Sequence, residues 1–252
     1  MQPMAVLMQY ICEKKPHIVV LENVKNFPEK HANVFKRLLR YLEGLGLYHV
    51  FHEVLNTLDY GVPQHRQRLY VVLIKKRLLR LQFKWPEPTP CKPLSSCWDR
   101  DGKHQVKRAR SIDPQLLHTA TTGENLVKSF KSIKKRHGKP SMVDAVIDIG
   151  CSAKFSTYKI GVAPTLTATR CRSHGYFSTS LMRPLSTTEM MRLQGADPNK
   201  LDMDGTSHAA LGHMAGNAMS INVLSAVIRQ ALASTSLPAQ SQFIEESDCS
   251  SG

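Results

Sequence analysis

The sequence predicts an α/β protein: an open sheet interrupted by a long basic insertion. Residues 1–76 run helix, strand, helix, strand, strand, the rhythm of an open sheet ending in an antiparallel hairpin. Residues 77–182 open on proline-rich WPEPTPCKP and stay polar, basic and weakly periodic, so this insertion reads as mostly irregular and β. Residues 183–232 return to helical spacing, and 233–252 turn to Ser, Gln and acid, the composition of a disordered tail.

Each element has a local reason. Met4 to Cys12 reads as a helix leading into PHIVVLENVKNF, an apolar run from Ile18 that stops at Glu22 and Asn23. Val34, Leu38 and Leu42 recur at helical spacing and end at Gly44 or Gly46, residues suited to a left-handed terminus. YHVFHEVLNTLDYGVP gives a strand and a turn, and RLYVVLIKK a second short strand. Within the insertion, MVDAVIDIG is the clearest β run. In RPLSTTEMMRLQG, Ser186 and Glu189 form the spacing of a capping box, and Gly195 supplies the stop. The last helix is expected in GNAMSINVLSAVIRQAL, with Ile221, Leu224 and Ile228 on one face.

At 252 residues the chain can bury one large core or a core with an insertion. No apolar run approaches bilayer length, and the Met-rich start lacks the charged region and cleavage site of a signal peptide. The six cysteines are scattered, the usage of reduced thiols. Cys91, Cys97 and His104 match no strong ligand spacing, so no metal is expected. Between Lys75 and Lys139, seventeen Lys/Arg face five Asp/Glu, a net +12 of the chain's +14. Charge this concentrated points to a polyanion, with nucleic acid ahead of membrane because no amphipathic apolar stripe accompanies it. KSIKKRHGK (131–139) also fits a nuclear import signal. Localisation is therefore expected to be the nucleus for a eukaryotic source and the cytoplasm for a prokaryotic one.

Three stretches could carry chemistry. Glu22 stands where a buried strand ends. Gln64, Arg66 and Arg68 alternate before the next strand, which would aim both arginines the same way, as a phosphate clamp or an oxyanion stabiliser. The plainer alternative is an edge strand whose charges block aggregation. GNAMSINV offers a Gly-Asn turn feeding a helix N-terminus, suited to a small polar ligand but weak alone.

In order, LENV, Gln-x-Arg-x-Arg, the basic insertion, RPLS…RLQG and GNA resemble the C-terminal part of the DNA (cytosine-5) methyltransferases over roughly residues 1–232. APTLTATRCRSHGYF is similar to the end of that family's target recognition region. The resemblance implies part of a Rossmann-like, S-adenosylmethionine-dependent sheet with an inserted target recognition domain. It implies transfer of a methyl group to C5 of a cytosine flipped out of DNA. Glu22 would then meet the N3 and N4 edge of the base, where an enclosed acid can donate toward N3. Arg68, and with it Arg66, would face O2 and the adjacent phosphate. Asn217, Ala218 and Met219 would lie beside the cofactor. Asn23 and Val24 would shape the pocket floor, and Asn23, Gln64, Thr167, Arg170 and Arg172 would be the DNA contacts. Arg192 reads more readily as an internal ion-pair partner than as a DNA contact.

The family's Phe-x-Gly-x-Gly cofactor loop and its Pro-Cys-Gln nucleophile segment do not occur in these residues. Cys12 lies in a helical context unlike that of an exposed nucleophile, Pro90-Cys91 falls inside the insertion, and the Gly44–Gly46 pair ends a helix. The strand before Glu22 is accordingly expected to show an open, apolar edge. The chain alone is expected neither to bind S-adenosylmethionine tightly nor to methylate DNA, the cofactor requiring the missing half. Three readings fit the sequence: a truncated methyltransferase, a half-enzyme completed by a separate polypeptide, and a non-catalytic DNA-binding remnant. DNA is the expected partner, and a membrane is not.

Overall fold

A computed structural model describes residues 3–99, 120–155 and 157–237. The chain divides into two units, one of residues 1–55, 67–87 and 224–252, the other of residues 56–66 and 88–223. Expectations for His104, Cys249 and the tail from 238 onward lie outside the described residues.

The first unit is built on a three-stranded sheet in the order β1-β3-β2, from β1 (Ile18–Val24), β2 (Tyr48–Asn56) and β3 (Gln67–Lys75). β1 runs antiparallel to β3, with Leu21 opposite Val71, Glu22 opposite Tyr70 and Val24 opposite Arg68. Alternation sends Val19, Leu21, Leu69, Val71 and Leu73 to one face. There they meet Ile11 of α1 (Pro3–Lys14) and Phe35, Leu38 and Leu42 of α3 (Ala32–Gly44). Phe27, on the short α2 (Phe27–Lys30), packs edge-on to Phe35 at 5.8 Å. Tyr48 closes this core by donating its hydroxyl to the Pro16 carbonyl at 2.9 Å. Val34 is half exposed, so the buried stripe of α3 runs through Phe35 instead. Among the described residues, β1 pairs with β3 alone and lies at the edge of this sheet. The first residues past 233 are not loose: the backbone amides of Arg80 and Leu81 both donate to the Ser234 carbonyl.

The second unit contains a four-stranded antiparallel sheet, β5-β4-β6-β7. It comprises β4 (Ala145–Asp148), β5 (Thr157–Ile160), β6 (Tyr176–Ser178) and β7 (Arg183–Pro184). Ala145, Ile147 and Phe177 pack with Leu126 and Ile133 of an 18-residue helix, α4 (Ala120–His137). Val146 and Tyr176 belong instead to a core with Leu94, Trp98, Leu166, Leu185 and Leu193. α4 adds one long helix to an insertion expected to be mostly irregular and β. Its buried face carries Asn125 and Ser129 beside Leu126 and Ile133, and those polar residues dilute the apolar period. Asn125 is satisfied there, donating to the carbonyls of Ile149 and Cys151.

α6 (Thr187–Arg192) opens with the expected capping box: Ser186 Oγ accepts from the Glu189 amide, and Glu189 accepts from the Ser186 amide. Glu189 is fully buried and also takes a two-pronged hydrogen bond from Arg183, at 2.9 and 2.6 Å. Gly195 adopts φ +80°, and a Cβ there would sit 2.2 Å from Asn222 Oδ1, so no other residue fits without displacement. Two further differences concern the C-terminal helices. Gly216 and Asn217 close α7 (His208–Asn217) rather than opening the last helix, which is α8 (Ile221–Ala233). α8 buries Val223, Val227 and Ala231, while Ile221 and Ile228 are exposed.

Candidate functional site

Glu22 and Arg68 meet on one face of the first unit's sheet. Arg68 stands opposite Val24, two residues from Glu22 along β1, so the two side chains are diagonal neighbours on the same face. Arg68 Nε lies 2.9 Å from Glu22 Oε1, and each side chain keeps 16% of its surface exposed. Arg68 Nη1 donates to its neighbour's carbonyl, Gln67 O, at 2.9 Å. Since an arginine carries five donors in a planar fork, Nη2 remains to serve a further acceptor. Lys25 donates to Gln67 Oε1 at 2.7 Å, adding a second cation beside the strand end. Asn23 Oδ1 accepts from the Val24 amide at 2.8 Å, a local turn that fixes the chain as it leaves β1. A carboxylate, a guanidinium and an ammonium thus cluster at the end of an otherwise apolar strand.

Arg66 takes a different place from the one expected. β3 begins at Gln67, so Arg66 precedes the strand and the alternation argument does not reach it. Its guanidinium belongs to the second unit, 3% exposed, donating to Leu166 O at 2.8 Å and Ala218 O at 3.0 Å. Gln64 is likewise fully buried there. It donates to Leu193 O, and its carbonyl accepts from the Leu166 amide at 3.3 Å. Neither side chain presents a face to a base or a phosphate. Together they tie the 64–66 segment to Leu166, Leu193 and Ala218, and Thr165 reinforces it by donating to the His65 carbonyl at 2.8 Å.

The remaining expected contacts sit around α5 (Ala168–Arg172). Thr167 stands at its N-cap, its amide donating to the Tyr176 hydroxyl at 3.0 Å. Arg172 is exposed. Arg170 pairs with Asp148 at 2.7 Å; burial nevertheless pushes the Asp148 carboxyl up, outweighing the arginine. Asn217 is exposed, with its amide 3.4 Å from His213 Nδ1, and Met219 is partly buried. With the Ala218 carbonyl already engaged by Arg66, these three residues do not by themselves form a cradle for a nucleoside cofactor.

Sequence reasoning missed one polar cluster in the second unit. Asp99 accepts from Arg192 at 2.6 Å, from Ser186 at 2.6 Å and from Thr188 at 2.8 Å, beside a cavity of about 880 Å³. Burial pushes the Asp99 carboxyl up, but these hydrogen bonds outweigh it and hold it below the usual range. Arg192 is therefore the internal ion-pair partner it was expected to be. Its acid was not foreseeable, because Asp99 lies 93 residues away in sequence. Among the described residues, no group of three His, Cys, Asp or Glu is placed to hold a metal ion.

The family model for C-5 cytosine-specific DNA methylases matches residues 4–233. The chain is 30% identical over 217 residues to the type II methyltransferase M.HaeII of Haemophilus aegyptius, covering 85% of this chain and 60% of that protein. It is 29% identical over 221 residues to M.HhaI of Haemophilus parahaemolyticus, covering 84% and 62%. The chain thus spans about three fifths of the length of these curated relatives. Among solved structures it resembles an Entamoeba histolytica methyltransferase, with a TM-score of 0.56, 15% identity, and coverage of 92% of this chain and 69% of that one. The Dnmt2 methyltransferase of S. pombe gives a TM-score of 0.52 at 14% identity, covering 92% and 73%.

Proposed function

Because the chain belongs to the C-5 cytosine-specific DNA methylase family, we propose that it forms the base-recognising part of a DNA cytosine-5 methyltransferase. The observation that carries this reading is the Glu22–Arg68 pair at the end of β1. A flipped cytosine presents a donor at N4 and acceptors at N3 and O2. Glu22 would meet the N3 and N4 edge, and Arg68, already oriented by Glu22, would place a donor near O2. Nucleophilic attack at C6 builds negative charge on N3 and O2, and a fixed acid and guanidinium stabilise that charge without reorganising. Asn23 and Val24 would shape the pocket beside them. Gln64 and Arg66 would act as positioning residues, holding the segment that leads into β3.

Methyl transfer needs S-adenosylmethionine and a cysteine thiolate. The 252 residues lack both the Pro-Cys-Gln segment and the Phe-x-Gly-x-Gly loop, and Asn217, Ala218 and Met219 do not fit a self-contained cofactor site. The chain's own contribution is therefore to the base, with nucleophile and cofactor loop supplied by polypeptide outside these residues. The open edge of β1 supports this arrangement, since an apolar strand paired on one side alone is suited to a further strand. Thr167, Arg170 and Arg172 are proposed to lie near the DNA backbone, Arg172 with its charge fully outward.

Co-expression with an N-terminal polypeptide that carries both missing segments tests the reading. Restored methylation of cytosine in DNA, absent from either part alone, is the expected result. Methylation by the 252-residue chain alone would overturn the need for an external nucleophile. DNA binding without methylation in every pairing would instead favour the non-catalytic reading.

A further inference from the structure

α4 is charged in a way that its own stability does not explain. It carries Lys128, Lys131, Lys134, Lys135 and Arg136, all exposed, against Glu124 as its single acid. Cations in the last turn favour the helix macrodipole, which accounts for Lys134 to Arg136. It does not account for Lys128 and Lys131 in the middle. Lys131 sits three residues from Lys128 and four from Lys135, and like charges at such spacings destabilise a helix. Alternating glutamates would relieve the repulsion, and the sequence does not use them.

The structure shows what this face borders. Between α4 and β5 lies a groove of about 520 Å³, lined by Lys128, Ser132, Arg136 and His137 from the helix and by Thr157 and Tyr158 from the strand. Among the described residues, no carboxylate lines it. Lys128 is anchored by donating to the Ala153 carbonyl at 3.1 Å, and Ser132 Oγ lies 3.4 Å from the Tyr158 hydroxyl. Phe155, two residues before Thr157, is 67% exposed with the Lys154 ammonium 5.9 Å from its ring centre. From Lys128 to Arg136 is eight residues, about 12 Å along the axis. Along the axis of a duplex, where each strand carries one phosphate per about 3.4 Å, that distance covers roughly three phosphates.

We propose that the α4–β5 groove binds the phosphate backbone of a nucleic-acid strand, as a contact separate from the cytosine-recognising pair. Lys128 and Arg136 contact phosphates at the two ends of this span, the Ser132–Tyr158 hydroxyl pair donates one proton to a phosphate oxygen between them, and Phe155 offers a base a stacking surface at the edge. A lipid surface fits less well. The groove is concave, and α4 exposes Val127 as its one large apolar side chain. The inference rests on the charge and shape of this groove and does not depend on Glu22 or on methyl transfer.

The test is fluorescence anisotropy of the 252-residue chain with a labelled single strand of about 20 nucleotides lacking cytosine, over a range of salt concentrations. Lys128→Gln/Arg136→Gln is compared with Lys36→Gln/Arg37→Gln, which removes the same charge from exposed positions on α3. The groove variant is expected to bind about tenfold or more weakly, and its slope of log affinity against log salt to fall by about 1.4. The α3 variant should bind as the parent does, and Lys128→Arg/Arg136→Lys should retain binding. Equal losses in the groove and α3 variants would overturn the proposal. So would unchanged oligonucleotide binding in a groove variant that loses attachment to phosphatidylserine vesicles. Should the glutamine variant fail to fold, Arg136→Glu alone reverses one exposed groove charge, and a loss in the same direction is expected.

Discussion

Arg68 Nε reaches Glu22 Oε1 at 2.9 Å across neighbouring antiparallel strands, with both side chains mostly withdrawn from solvent. The register makes this meeting obligatory: once Val24 faces Arg68, Glu22 is the next residue on that face. If the pair serves the base, its loss should affect activity far more than folding. Glu22→Gln keeps a polar side chain of the same shape and should melt close to the parent, whereas Arg68→Ala takes the guanidinium from a largely buried carboxylate and is expected to cost about 1–3 kcal/mol. In the complemented enzyme, each is expected to lower methylation by about 10²–10⁴-fold, the usual range for a group acting on proton or charge transfer. Single-turnover methylation alongside thermal melts makes the measurement. Activity preserved within a factor of about two in both variants would remove them from the chemistry.

Arg66 should behave in the opposite way. Its guanidinium is buried and satisfies the carbonyls of Leu166 and Ala218. Truncation leaves both acceptors without their charged donor, a loss of about 2–4 kcal/mol. Arg66→Met, which keeps much of the volume, is expected to lower the urea midpoint clearly where Glu22→Gln does not. Equal midpoints for the two variants would show that Arg66 does not anchor the fold in this way.

The contrast between these arginines marks where sequence reading stops. The strand at Ile18, the helix through Leu38 and Leu42, and the Ser186–Glu189 box were legible because each is decided by neighbours within a few residues. Arg66 was not, because its partners are 100 and 152 residues away and alternation is informative only inside a strand. α4 was hidden for a related reason. Asn125 is a good buried residue there only because the carbonyls of Ile149 and Cys151 await it, and no local pattern announces them. On α8 the expected Ile221–Ile228 stripe is more apolar than the observed Val223–Ala231 stripe. The surroundings of the helix, not its own composition, choose between the two faces.

Gly216 is fixed by packing. A Cβ there would lie 2.4 Å from the Thr167 carbonyl carbon and the Ala168 amide nitrogen, both backbone atoms that cannot swing aside. Gly212, one turn earlier, is equally tight against the Cys171 carbonyl, at 2.5 Å. α7 thus presents a glycine-lined face to α5, and Gly216→Ala must part them. The expected destabilisation is about 1–3 kcal/mol or more, read as a lower urea midpoint. If Thr167, Arg170 and Arg172 lie against DNA as proposed, the same variant should also weaken duplex binding, since all three are carried at α5. Gly44→Ala, where nothing lies within 4 Å, is the matched control and should do neither.

Alkaline pH should unfold the protein through its buried thiols and a buried phenol. Burial pushes Cys171 from an ordinary 9.0 up to about 12 and Cys97 up to about 11, and it pushes Tyr176 from 10.0 up to about 12. In the folded state these groups keep their protons at a pH where the unfolded chain has released them. The unfolded state then binds fewer protons, so stability falls as pH rises. The contribution is complete below pH 9 and is lost between 9 and about 12. Each group ionised only in the unfolded state steepens the fall by about 1.4 kcal/mol per pH unit. Urea titrations at successive pH values, under reducing conditions, should therefore show a steep decline above pH 9. Cys171→Ala should flatten that decline by the share of one group, whatever it costs in packing at neutral pH. A variant with the parent's slope would mean that Cys171 ionises in the folded protein as readily as in the unfolded one.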